Sequence, residues 1–152
     1  MAASAALAWC LAGAAVAGPL PTGGVTAQEV AQALQDKGLQ AQIGTDSQGD
    51  PMITSALDGT PFRVLFYTCK AGRCAAISFA TAFPRAGNVG LQKINDWSRN
   101  NRFGRGYLGG ENYPYVEYDV DLERGGTTEA IGNAIDVWAW VIPNFKKHIG
   151  VD

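Results

Sequence analysis

Apolar residues recur at helical spacing in three segments of the chain. The first segment, Ala27–Lys37, begins with a capping-box signature, in which Thr26 is the N-cap and Glu29 stands three residues later. The second segment is Gly90–Asn101. The third begins after Thr127 and carries an apolar stripe at Ile131, Ile135, Trp138, Ile142, Phe145 and Ile149. We expect Pro143 to kink or split this last helix near Trp140, because proline lacks a backbone donor.

Alternation of apolar and polar residues predicts six strands between these helices. The predicted strands are Ala41–Gly44, Met52–Leu57, Phe62–Cys69, Cys74–Phe83, Arg102–Leu108 and Tyr113–Leu122. The element order is therefore one helix, four strands, a helix, two strands and a helix. Short turns between strands favour antiparallel pairing, so we predict an α+β fold with the helices packed on an antiparallel sheet.

The third and fourth strands form a hairpin whose register the cysteines predict. If Cys69 lies opposite Cys74, then Phe66 lies opposite Ile77 and the bulky apolar residues share one face. The cysteines then lie on the other face, beside Tyr67. Directly opposed residues are close enough for a disulfide, which we interpret as a structural staple rather than a redox site.

The first residues of the chain have the composition of an export signal. No charged side chain occurs before Glu29, and a short apolar stretch ends in Ala15-Val16-Ala17, a small-x-small cleavage motif. We predict a signal peptide at residues 1–17, a disordered mature N-terminus at residues 18–24 and a single domain at residues 25–150. The predicted location is periplasmic or secreted, with no membrane association after cleavage. A disulfide agrees with that location.

Composition limits the classes of function. The chain has 152 residues, 12 basic and 14 acidic, and a net charge of −2, which gives no electrostatic surface for nucleic acid. His148 is the single histidine, so no histidine-based triad or histidine-pair metal site can form. The match to a dinucleotide-binding motif at residues 104–109 follows a helix and precedes a strand, the reverse of what that motif requires. We therefore expect no catalytic residues and no cofactor.

Three carboxylates alternate with apolar residues along the last predicted strand. They are Glu117, Asp119 and Asp121. Such a group could bind a metal ion or act in hydrolysis. Alternation by itself also predicts a solvent-exposed strand face, and we favour that interpretation.

Three arginines lie close together in the sequence near aromatic residues. They are Arg99, Arg102 and Arg105. Together they could form an anion site for an acidic ligand or a partner's carboxylate. The alternative is that they pair with Asp96 and with the acidic strand, as surface arginines commonly do.

The last helix carries two tryptophans that cannot both face one core. Trp138 and Trp140 are separated by about 200° around the helix axis. Since Trp138 belongs to the apolar stripe, we expect Trp140 and Val137 to form an exposed patch that binds a partner protein, a peptide or a second copy of the chain.

One region of the chain resembles a known family. Ile94-Asn95-Asp96-Trp97, then Arg102-Phe103 and Tyr107, then an acidic strand and Gly125-Gly126-Thr127, resemble the YbjN-domain family. These are bacterial proteins labelled as sensory transduction regulators, and the resemblance covers roughly Val25 to Phe145. It implies a fold similar to type III secretion chaperones, which dimerise and hold extended client segments, and it implies no catalytic residues.

These observations together predict a non-enzymatic binding or regulatory module. The alternative is a hydrolase or metal-binding protein that uses the face of Glu117, Asp119 and Asp121.

Overall fold

The computed structural model describes residues 18–151, so the predicted signal peptide lies outside the described residues. The helices are α1 (Ala27–Asp36), α2 (Leu91–Asn100) and α3 (Thr128–Ile149). The strands are β1 (Pro19–Leu20), β2 (Gln42–Thr45), β3 (Pro51–Leu57), β4 (Thr60–Lys70), β5 (Arg73–Ala82), β6 (Arg105–Leu108), β7 (Pro114–Asp121) and β8 (Gly126–Thr127). The predicted α+β class is confirmed, and β1 and β8 add a small second sheet to the predicted order.

The main sheet has six strands in the order β2-β3-β4-β5-β7-β6, and all neighbours are antiparallel. Ile53, Val64 and Phe79 lie side by side across three strands and are buried against the helices. The alternating residues, such as Arg63 and Glu117, point to the other side. We call this second side the open face of the sheet.

Helix α1 begins at the predicted capping box. The Thr26 hydroxyl accepts a hydrogen bond from the Glu29 amide at 3.2 Å, and the Glu29 carboxylate accepts one from the Thr26 amide at 2.8 Å. Arg73, at the start of β5, donates to the same carboxylate at 2.8 Å and to the Gly24 carbonyl at 2.7 Å. The cap therefore also joins the start of α1 to the central hairpin.

Helix α3 buries the predicted stripe. All six stripe residues are buried, together with Ala134 and Val141. Of the predicted kink or split near Trp140, the split does not occur, since α3 continues through Pro143 to Ile149. Proline removes one donor, and the Asn144 side chain donates a hydrogen bond to the Trp140 carbonyl at 2.7 Å in the same turn. Residues on both sides of Pro143 are buried, and this packing favours one continuous helix.

The hairpin of β4 and β5 has the predicted register. Cys69 is the partner of Cys74, and Phe66 is the partner of Ile77. The cysteine sulfurs lie at disulfide distance, 2.12 Å.

The position of the disulfide differs from the expectation. It was expected on the open face beside Tyr67, but Cys74 is completely buried and exchanges two backbone hydrogen bonds with Val25. The left-handed conformation of Thr68 (φ 55°) interrupts the alternation of β4 just before the cysteine. Gly24 passes so close that a Cβ there would lie 1.9 Å from the Cys74 carbonyl oxygen, so glycine is required.

Residues 18–24, for which we expected a disordered mature N-terminus, contain the short strand β1. Pro19 and Leu20 pair with Thr127 and Gly126, and the Leu20 side chain is buried. The Gly23 amide also donates to the Glu123 carbonyl at 2.8 Å. A segment rich in glycine and proline has no alternation from which such pairing could be predicted.

Candidate functional site

A surface groove of about 560 Å³ lies between the end of α2 and the middle of α3. Its lining residues are Asn100, Asn101, Arg102, Phe103, Asp136, Val137 and Trp140. Two of these are exposed aromatic side chains, with 44% of Trp140 and 39% of Phe103 accessible to solvent. We call this feature the Trp140 groove. The predicted interface residues Val137 and Trp140 thus lie side by side in it.

Helical geometry explains why Trp140 is available. Trp138 is 1% exposed and packs its ring against Phe62 and Phe79. Trp140 points away from that core and stacks on Trp97, with ring centroids 6.2 Å apart. Trp97 is itself buried and contacts Phe145 edge-on at 5.0 Å. The exposed ring therefore rests on an aromatic core and is held in position.

The other wall of the groove is held by Trp97 as well. Its indole N–H donates to the Gly104 carbonyl at 2.6 Å, which ties the loop after α2 to the helix. A Cβ at Gly104 would lie 2.8 Å from a methyl carbon of Val141, so the loop passes α3 where only glycine fits. Arg102 and Phe103 precede this contact and are thereby placed at the groove.

The three arginines predicted as an anion site have different surroundings in the structure. Arg99 pairs with Asp96 at 3.0 Å on α2. Arg105 lies on the open face and pairs with Glu117 and Asp119. These are the pairings that the alternative interpretation expected. Arg102 alone lines the Trp140 groove.

Charge in the groove is unevenly balanced. The Asp136 carboxylate accepts hydrogen bonds from the Lys37 ammonium on both oxygens, at 2.7 and 2.6 Å. Within residues 18–151, no carboxylate pairs with the Arg102 guanidinium. The negative charge of Asp136 is thus paired with Lys37, whereas the positive charge of Arg102 is not paired with a carboxylate within residues 18–151.

The three carboxylates of β7 lie on the open face, away from the groove. Glu117 accepts hydrogen bonds from Arg105 and from the Tyr107 hydroxyl, the latter at 2.6 Å. Burial, followed by this hydrogen bond to Glu117, raises the pKa of Tyr107. Across the described part of the chain, no three histidine, cysteine or acidic side chains are grouped to hold a metal ion.

Beside them, three tyrosines form a stack that sequence reasoning did not predict. The Tyr107 and Tyr115 rings are 5.2 Å apart, and the Tyr113 and Tyr115 rings are 5.3 Å apart. One part of the stack could have been predicted, because Tyr113 and Tyr115 are two residues apart and therefore lie on one side of an extended chain. The pairing of Tyr107 with Tyr115 depends on the β6–β7 register.

Comparison with known families gives a match over most of the chain. The YbjN family model, described as "Putative bacterial sensory transduction regulator", matches residues 26–150. The chain belongs to the YbjN family. A search of curated proteins finds no match. In this YbjN chain, Trp97, Arg102 and Phe103, which carried the resemblance, support or line the groove. Among residues 18–151, no helix has the length and apolarity to cross a membrane.

Proposed function

We propose that this YbjN protein is a non-enzymatic regulatory module that acts outside the cytoplasm by binding a protein partner through the Trp140 groove. The observation that carries the proposal is the half-exposed Trp140, which lies beside Val137 and Phe103 over an aromatic core. Exposed aromatic side chains held on a rigid base are the residues that contribute most to protein interfaces. The regulatory description of the family agrees with a binding role.

Two sequence features support the extracytoplasmic part of the proposal. The segment that ends in Ala15-Val16-Ala17 has the features of a signal peptide. Cys69 and Cys74 are paired at bonding distance, and such pairs persist in oxidising compartments.

A pull-down with matched variants tests the proposal. Tagged mature protein is incubated with periplasmic extract as wild type, as Trp140→Ala and as Tyr67→Ala. Tyr67 is the control because it is 46% exposed, similar to Trp140, but lies on the open face. We expect the wild type and Tyr67→Ala to retain the same protein and Trp140→Ala to lose it. Equal retention by all three proteins would contradict a role for the groove.

A further inference from the structure

We infer that the Trp140 groove binds a peptide segment in which an apolar side chain stands next to a carboxylate. This inference rests on the proposed function and specifies the chemistry of the partner. It follows from two properties of the groove, an apolar floor and an uncompensated positive charge at its rim.

The apolar floor accepts a side chain of moderate size. Trp140 and Phe103 expose their rings, and Val137 lines the groove with them. The volume of about 560 Å³ is in the range of sites that enclose small ligands, and one or two aliphatic side chains fit within it. An apolar side chain placed there would remove both rings from water, which favours binding.

The positive charge of Arg102 at the rim determines which residue of the peptide is favoured next to its apolar side chain. Lys37 neutralises Asp136, and Asp96 neutralises Arg99 beside the groove. Asn100 and Asn101 are uncharged, and the Asn101 amide donates to the Trp97 carbonyl at 3.0 Å. Arg102 therefore supplies the excess positive charge, and its planar guanidinium can donate two hydrogen bonds to one carboxylate.

Three short peptides test this inference. Each has a Leu-Leu centre and blocked ends, and the leucines are flanked by aspartate, asparagine or lysine. The peptides contain no tryptophan, so any tryptophan fluorescence comes from the protein, and of Trp97, Trp138 and Trp140 only Trp140 is exposed to a bound peptide. We expect the aspartate peptide to bind about tenfold more tightly than the asparagine peptide, as a charge-assisted hydrogen bond at an exposed site allows. The lysine peptide should bind most weakly.

Substitution of Arg102 separates the contribution of charge to peptide binding from the contribution of apolar contact. Arg102→Gln should bind the aspartate and asparagine peptides equally, with the affinity of the asparagine peptide unchanged. Arg99→Gln is the matched control and should keep the wild-type preference, because Arg99 does not line the groove. Arg102 is exposed, so thermal melts of both variants should match the wild type.

Several results would overturn the inference. Equal binding of all three peptides by the wild type, or an aspartate preference that survives Arg102→Gln, would exclude the role of Arg102. Absence of binding by any peptide, while the extract still yields a protein that Trp140→Ala loses, would refute this peptide chemistry and leave the proposed function intact. Concentration-dependent dimerisation that Trp140→Ala abolishes would identify a second copy as the occupant instead.

Discussion

Trp138 and Trp140 are two residues apart on one helix and have opposite surroundings. The Trp138 ring is buried against Phe62 and Phe79, whereas the Trp140 ring is half exposed and touches the core through Trp97. Stability and binding should therefore depend on different tryptophans.

Trp138→Ala should lower the free energy of unfolding by about 3–5 kcal/mol, because it removes a buried aromatic side chain and leaves a cavity. Trp140→Ala should lower it by only about 1 kcal/mol, the value of one aromatic stack. Urea denaturation of both variants measures the difference. If Trp140→Ala were the more destabilising substitution, the groove would be part of the core and the interface proposal would fail.

Tyr107 gives a prediction about alkaline pH. Its pKa is raised above the ordinary value of 10.0, mainly by burial and next by the hydrogen bond to Glu117. The folded state thus holds this proton more tightly than the unfolded state does. The resulting stabilisation is fully present below pH 10.0 and is lost as the pH rises toward the folded-state pKa.

Tyr107→Phe should therefore reduce the loss of stability measured by urea denaturation between about pH 10 and pH 11. Some loss should remain, because burial also raises the pKa of Tyr67 and of Tyr118. Below about pH 10 the profiles of the wild type and of Tyr107→Phe should run parallel, which serves as the control. An unchanged pH profile in Tyr107→Phe would show that the folded state does not raise the pKa of Tyr107.

At the scale of elements, the central hairpin is held by the Cys69–Cys74 pair. The closed loop is short, so the disulfide should contribute about 2 kcal/mol through the entropy of the unfolded chain. Cys69→Ser is the better variant, because Cys69 is only partly buried whereas Cys74 is fully buried. Its urea midpoint should fall to that of the reduced wild type. Two reactive thiols in the mature, non-reduced wild type would contradict the disulfide.

Local sequence patterns predicted most of the helices and strands. The features that they missed depend on contacts between distant elements. Alternation together with the assumed Cys69–Cys74 pairing was sufficient for the hairpin register, and helical spacing for the buried stripe of α3. Both depend on side chains that face one core. The pairing of Pro19–Leu20 with Gly126–Thr127 brings together distant parts of the chain, so no local pattern shows it. The burial of Cys74 likewise depends on Val25 and on the backbone of Thr68.

At the scale of the whole molecule, the site was predictable only in part. Val137 and Trp140 follow from helical geometry. Phe103 joins them because the Trp97 indole holds the Gly104 carbonyl, a contact that sequence spacing does not indicate. Arg105 was grouped with Arg102 by proximity in sequence, but the start of β6 carries it to the open face, where Glu117 binds it.

The predicted export of the protein can be tested directly. The mature protein should begin at Gly18, because Ala15-Val16-Ala17 has the small residues that signal peptidase requires. In the structure, the Gly18 carbonyl accepts a hydrogen bond from the Thr128 amide at 3.0 Å. N-terminal sequencing of protein recovered from the periplasm or medium measures the cleavage site. Recovered protein that still begins at Met1 would refute the predicted signal peptide.

Site-specific photocrosslinking in living cells tests the central claim, which is that the Trp140 groove binds a protein partner. A benzophenone side chain replaces Val137 in the groove or, as the control, Tyr67 on the open face. The account predicts one discrete adduct from position 137, none from position 67, and loss of the adduct when Trp140→Ala is added. An adduct at position 67 alone, or one at position 137 that persists in Trp140→Ala, would contradict it.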